Sequence, residues 1–205
     1  MIIWISGVAA SGKSTVTKYI VQKLKEKCKR EYEGKDHAYT SKQGYKVPFS
    51  TYGSVMVIGR NSQVLNGSDS VMLGITRIKW FLHYEYFKWQ SIFTPTILIE
   101  GNKFMSDNRI HDFMIKEKMK YEMYYLKVPV EILDKRSKKR ANGYDLRIRT
   151  KKMVERELCN YNDIITNEKY RKNIKVRNSV NKKRCKMIAD EIFGVIKSEN
   201  SISPS

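Results

Sequence analysis

Eight residues near the start of the chain, Gly7-Val8-Ala9-Ala10-Ser11-Gly12-Lys13-Ser14, meet the pattern GxxxxGK[ST] in full. Each residue type in it has a chemical reason. The glycines let backbone N–H groups curl around phosphate oxygens, and a following helix N-terminus favours the anion through its dipole. Lys13 is placed to reach the β- and γ-phosphates, and the Ser14 hydroxyl to ligate Mg²⁺. Gly7, Ala10, Ser11, Gly12, Lys13, Ser14 and Thr15 are therefore expected to hold the triphosphate of a nucleotide, with ATP and Mg²⁺ as the implied pair.

A second candidate, Glu100, follows the apolar run Thr96-Ile97-Leu98-Ile99. A carboxylate at the C-terminal edge of a buried strand lies where open parallel sheets carry their sites. It could orient Mg²⁺ or act as a base; it could equally cap a loop. Arg136 and Arg140, four apart in the basic run "LDKRSKKR", are candidates for stabilising the charge that spreads over a phosphoryl group in transfer. A solvated basic face, or contacts to substrate phosphates, are the other readings of that run. Asp69 follows Asn66-Gly67-Ser68 and is placed as well to cap a helix as to do chemistry.

The elements that must position these residues follow from periodicity. Ile2-Ile3-Trp4-Ile5 reads as a two-sided buried strand, and Val16, Ile20 and Leu24 as one face of the next helix. The polar stretch 31–44 reads as a loop, followed by extended segments near Tyr45–Tyr52 and Ser54–Ile58. Asn61–Ser68 reads as a turn, and Val71, Ile75, Ile78, Leu82 and Trp89 as the stripe of a helix stopped by Pro95. The aromatics between Trp80 and Trp89 either belong to the core or stack on a base.

Further on, a strand at 96–100, a helix about Asp107–Lys118 and a strand Tyr121–Val128 are expected. A helix opened by Pro129 and closed at Ala141-Asn142-Gly143 comes next, then a strand Asn173–Arg177 and a closing helix through Ile188, Ile192 and Ile196. Alternating strands and helices predict an α/β chain: a three-layer α/β/α fold of P-loop kinase type, with a mostly parallel five-stranded sheet. One domain over 1–197 is expected, with a basic lid at about 136–160 and a flexible tail at 198–205.

Composition narrows the partner. The 205 residues include 40 Lys and Arg against 21 Asp and Glu, a net charge of +19. The excess is clustered: Lys135 to Arg156 holds ten basic and two acidic residues, and Tyr170 to Lys186 eight basic and none acidic. Blocks of like charge repel, and a polyanionic partner relieves that repulsion. The three cysteines, Cys28, Cys159 and Cys185, form no CxxC pair and suit a reducing compartment rather than a disulfide framework or a zinc site. No apolar stretch approaches the roughly 18 residues that a membrane span needs. A cytoplasmic protein without a membrane is the expectation, and the sequence points to no protein partner. Asn-Lys-x-Asp and Asp-x-x-Gly, which guanine readers need, are both missing from the sequence, which leaves a small ATP-using kinase as the best class.

The phosphate loop, "VPFSTYGSVMVIGRNSQVLNGSDSVML", "TILIEGNKF", "LDKRSKKR" and "MVERELCNYNDI" occur in an order and spacing that resemble bacteriophage P-loop kinases acting on 5-hydroxymethyluracil in DNA. The likeness spans roughly Met1 to Ile165. It implies transfer of the γ-phosphoryl of ATP to the hydroxymethyl oxygen of a base in polymeric DNA. By position, Gly67, Ser68 and Asp69 match a Gly-Thr-Asp-like element of that family, with Ser where Thr is usual. Asp69 then becomes a candidate to accept the proton of the attacking hydroxyl, with Asp36 and Glu100 as the other candidate bases, and Arg60 a candidate contact to DNA or phosphate. The chain departs from the family at "NSQVLNG", which stands in place of a Gly-rich turn. A nucleoside or nucleotide kinase, a polynucleotide 5′-kinase and a non-catalytic DNA-binding module with a nucleotide switch are the competing readings.

Overall fold

A computed structural model describes residues 1–27, 35–40, 46–58, 79, 82–83, 96–101, 107–141 and 151–199. Its frame is a seven-stranded sheet of order β2-β3-β4-β5-β1-β6-β7. The strands are β1 (Ile2–Ser6), β2 (Lys35–Thr40), β3 (Lys46–Tyr52), β4 (Val55–Ile58), β5 (Thr96–Glu100), β6 (Tyr121–Lys127) and β7 (Ile174–Asn178). From β4 to β7 every neighbouring pair is parallel, whereas β2, β3 and β4 pair antiparallel. The helices are α1 (Lys13–Lys27), α2 (Asn108–Lys116), α3 (Val130–Ala141), α4 (Lys151–Thr166), α5 (Glu168–Arg171) and α6 (Lys182–Glu199).

β1 is central because both of its faces are apolar. All five of its residues are buried, and alternation sends Ile2 and Trp4 to one face and Ile3 and Ile5 to the other. On the first face, Ile97, Ile99, Met123 and Tyr125 continue the layer, and α2, α3 and α4 cover it with Ile110, Met114, Leu133 and Tyr161. On the second, α1 and α6 cover Leu98, Tyr124 and Leu126 with Val16, Ile20, Leu24, Ile188, Ile192 and Ile196. The result is a three-layer α/β/α arrangement with a mostly parallel sheet.

Two expectations are corrected. The sheet has seven strands rather than five: β3, an extended segment expected near Tyr45–Tyr52, joins it antiparallel to β4, and β2, in the stretch read as a loop, pairs with β3 from Lys35↔Thr51 to Thr40↔Lys46. "KDHAYT" carries no apolar alternation, so its strand is made by the backbone ladder and leaves no periodic signal. The helix expected from Pro129 to Ala141-Asn142-Gly143 is α3, which runs to Ala141, and a further helix, α4, starts at Lys151. Val154, Leu158, Tyr161 and Ile165, at helical spacing, set one stripe of α4 on the core. Finally, α6 continues to Glu199, whose carboxylate accepts from Lys120 Nζ at 2.7 and 2.8 Å, so Ser198 and Glu199 belong to the helix and not to a tail. The turn at Asn61–Ser68 lies outside the described residues, as does most of the helix expected before Pro95.

Candidate functional site

Parallel pairing of β1 with β5 brings Ile5 opposite Glu100, so the chain leaving β1 emerges beside that carboxylate. Between β1 and α1 the backbone turns through three left-handed positions, Gly7 (φ 141°), Ala10 (φ 64°) and Gly12 (φ 98°). A side chain is excluded at Gly7: its Cβ would lie 2.7 Å from Ser11 Oγ and 2.8 Å from the carbonyl oxygen of Leu126. At Gly12 a Cβ would meet Cys185 Sγ at 3.0 Å. Ser11 N–H donates to Val8 O at 3.2 Å and closes the loop on itself.

α1 starts at Lys13, so its first amide groups and the positive end of its dipole face the loop. Lys13 is 5% exposed and its ammonium curls back to donate to Gly7 O at 3.0 Å and Val8 O at 3.1 Å. A buried cation is tolerated only with such partners. Ser14 Oγ donates to Glu100 Oε1 at 2.6 Å, which joins the first turn of α1 to the end of β5.

The base of the loop is held from α4. Ser6 Oγ donates to Gly101 O at 3.0 Å, so the 2.8 Å bond between Ser6 and Tyr161 has the phenol as donor. Tyr161 also takes a hydrogen bond from the Gly7 backbone, and burial raises its pKa well above the ordinary tyrosine value. The rim is held from α3 and from the turn between β7 and α6. Arg136 Nη1 donates to Ala10 O at 3.0 Å, its Nη2 to Ser179 O at 3.0 Å and Val180 O at 2.8 Å, and Ser179 Oγ donates to Ser11 O at 2.6 Å. Cys185 packs behind Gly12, and burial pushes its thiol pKa up against the lowering effect of Arg136. A cleft of about 1220 Å³ opens next to this rim, with Lys127, Asn178, Val180, Arg184 and Met187 among its lining residues.

Of the residues expected from sequence, the structure brings together Gly7, Ala10, Ser11, Gly12, Lys13, Ser14, Thr15, Glu100 and Arg136. Arg140 lies in α3 one turn beyond Arg136, and its side chain is outside the described residues. Arg60, Gly67, Ser68 and Asp69 are also outside them, and so is the side chain of Asp36. Ser6, Tyr161, Ser179 and Cys185 were not anticipated. Tyr161 had a sequence signal in the helical stripe of α4, whereas Ser179 had none.

The donor set suits a hard cation and a polyphosphate. Ser11 Oγ is fully buried with no hydrogen-bond partner among the described residues, and the backbone around it leaves no room for a Cβ at Gly7. Ser14 and Glu100 supply oxygen ligands of the kind Mg²⁺ takes, through one or two side chains plus phosphate. No cluster of three or more His, Cys, Asp or Glu suited to a metal occurs among the described residues. No helix among them is long and apolar enough to cross a membrane.

These features define the class as an α/β chain with a glycine-bearing loop and a Lys-Ser helix start at the C-terminal ends of its parallel strands. No family model matches the chain, and no curated protein does. Among solved structures it is similar to the crystal structure of APE1195, with a TM-score of 0.46 and 15% identity over 97% of this chain and 95% of that chain.

Proposed function

We propose that this chain is an ATP-dependent P-loop phosphotransferase that moves the γ-phosphoryl group to the hydroxymethyl oxygen of 5-hydroxymethyluracil in DNA. The observation that carries the donor half is the loop from Gly7 to Ser14, with Lys13 folded into it and Ser14 Oγ 2.6 Å from Glu100 Oε1. Gly7, Ala10, Ser11, Gly12, Lys13, Ser14 and Thr15 hold the phosphates of ATP through backbone amides, the ammonium and the helix dipole. Ser14 and Glu100 hold Mg²⁺, which when bound neutralises charge on the β- and γ-phosphates.

The acceptor half rests on the net charge of +19 and on the "GSD" and "LIEGNKF" elements. A line of DNA phosphates rewards a broad basic surface through counterion release, which a free nucleotide does not. Asp69 takes the proton of the attacking hydroxyl as the oxygen bonds to phosphorus, and ADP departs as leaving group. Arg60, Gly67 and Ser68 serve to bind the acceptor, and Arg140 serves to offset the charge on the transferring group. The base leaves the stack to reach the γ-phosphate. The chain works as one cytoplasmic domain that includes α6 through Glu199.

The test is label transfer from γ-labelled ATP with Mg²⁺ to duplex DNA containing 5-hydroxymethyluracil, followed by digestion to nucleosides. Label on the modified nucleoside is expected. Label only at 5′ ends identifies a polynucleotide kinase, label only on free nucleotides a nucleotide kinase, and DNA binding without any transfer a non-catalytic module.

A further inference from the structure

The rim of the loop is held by side chains from two distant parts of the chain. Ser179, in the turn between β7 and α6, is fully buried and lies 168 residues from Ser11, whose carbonyl accepts its hydroxyl at 2.6 Å. Its own N–H donates to Lys127 O at 3.1 Å, so the hydroxyl is presented from a backbone fastened to the end of β6. Arg136 bridges the same two segments by donating to Ala10 O, Ser179 O and Val180 O. Two consecutive loop carbonyls, Ala10 and Ser11, are thus pinned from outside by the Arg136 guanidinium and the Ser179 hydroxyl, and Arg136 also holds the backbone carbonyl of Ser179.

A trans peptide is planar, with the C=O of one residue and the N–H of the next pointing in opposite directions. Fixing Ala10 O therefore aims Ser11 N–H, which donates to Val8 O and keeps the loop closed, and fixing Ser11 O aims Gly12 N–H. Both amides lie in the stretch whose left-handed residues, Ala10 and Gly12, would otherwise relax, because Ala10 bears a Cβ and Gly12 has access to many conformations.

We propose that Ser179 and Arg136 are positioning residues that hold the Ala10–Gly12 backbone in the shape that accepts a polyphosphate. This rests on the reading of the loop as a triphosphate holder. Arg136 then acts through the loop: both Nη2 protons and one Nη1 proton go to carbonyls of the rim. Its planar fork spans three carbonyls in two directions, which a single ammonium does not.

The experiment measures calorimetric binding of inorganic tripolyphosphate and of ATP, both with Mg²⁺, to the full chain and to Ser179→Ala and Arg136→Lys, alongside thermal unfolding. A lost hydrogen bond of this kind corresponds to about a tenfold weakening, and the two probes are expected to weaken by the same factor because they share the phosphates. In the transfer assay, KM for ATP rises while kcat changes less, which loss of fold alone does not produce. Either variant, folded and binding tripolyphosphate as tightly as the unaltered chain, overturns the clamp while leaving the triphosphate reading in place. An unaltered chain that binds neither probe overturns both.

Discussion

Ser14 Oγ and Glu100 Oε1 lie 2.6 Å apart, although 86 residues separate them in sequence. A hydroxyl donating to a carboxylate is a charge-assisted bond, and here it fixes the rotamer of the second residue of α1 against the strand end beside β1. Two oxygen donors are thereby preset at the mouth of the loop. Ser14→Ala is expected to weaken the apparent affinity for Mg²⁺ by about 10- to 100-fold, and Glu100→Gln to do the same by removing the anionic partner. Transfer rates measured across a Mg²⁺ titration check this; an unchanged half-saturation point in both variants would remove Ser14 and Glu100 from the cation site.

Lys13 poses a different question, since the residue is 5% exposed and its ammonium is bonded to the carbonyls of Gly7 and Val8. In a triphosphate holder that geometry keeps a cation ready at small reorganisation cost. Lys13→Met retains the length of the side chain and deletes the charge. Activity is expected to fall at least about 100-fold, as when one preorganised donor to a developing anion is lost. Thermal stability should hold or rise, because a desolvated charge is replaced by a hydrophobe of similar volume. Parallel kinetics and melting separate the two effects, and a large drop in Tm would mean that Lys13 serves mainly the fold.

Tyr161 tests whether α4 supports the loop. Its hydroxyl joins Ser6 to the Gly7 backbone inside the core, and Tyr161→Phe keeps the ring while leaving those groups short of a partner. The expected cost is about 1–2 kcal/mol, or roughly 2–8 °C in Tm for a chain of this size. Because burial raises its pKa, Tyr161 should also remain un-ionised in a spectrophotometric titration through the range where exposed tyrosines ionise. Equal numbers of ionising tyrosines in the parent and Tyr161→Phe are the expected readout.

The parts of this fold legible in the sequence are those whose signal is local. β1, the loop, α1 and β5 with its terminal Glu100 each carry an apolar run or a motif within a few residues. β2 carries neither, and forms because β3 offers a ladder of backbone partners. Site residues divide the same way. Lys13 and Ser14 are set by the motif, whereas Ser179 reaches Ser11 only because β7 pairs with β6 and the next turn falls behind the loop. Arg136 was visible as one of a helical pair of arginines, but its bonds to Ala10, Ser179 and Val180 depend on where α3 lands. Helical spacing in α4 was legible in principle; the surrounding charge masked it.

Asp107 offers a pH test of local structure away from the loop. It is the N-cap of α2, with extended backbone (φ −116°, ψ 114°), and its carboxylate accepts from Arg109 N–H at 3.0 Å. The Arg109 guanidinium also donates to it at 2.7 to 3.2 Å, and these hydrogen bonds hold the carboxyl below its ordinary value of 3.8 against the opposing effect of burial. A depressed carboxylate pKa stabilises the fold at pH values above the unfolded one, and that contribution is lost as pH falls through the folded one. At neutral pH, Asp107→Ala is expected to cost about 1 kcal/mol, chiefly as a lost cap. Asp107→Asn keeps a capping acceptor and should cost less. Melting the parent and both variants at pH 7 and near pH 2.5 checks the sign: the gap between parent and Asp107→Ala should shrink in acid, and a gap that widens there would show that the carboxylate is not what α2 gains from this residue.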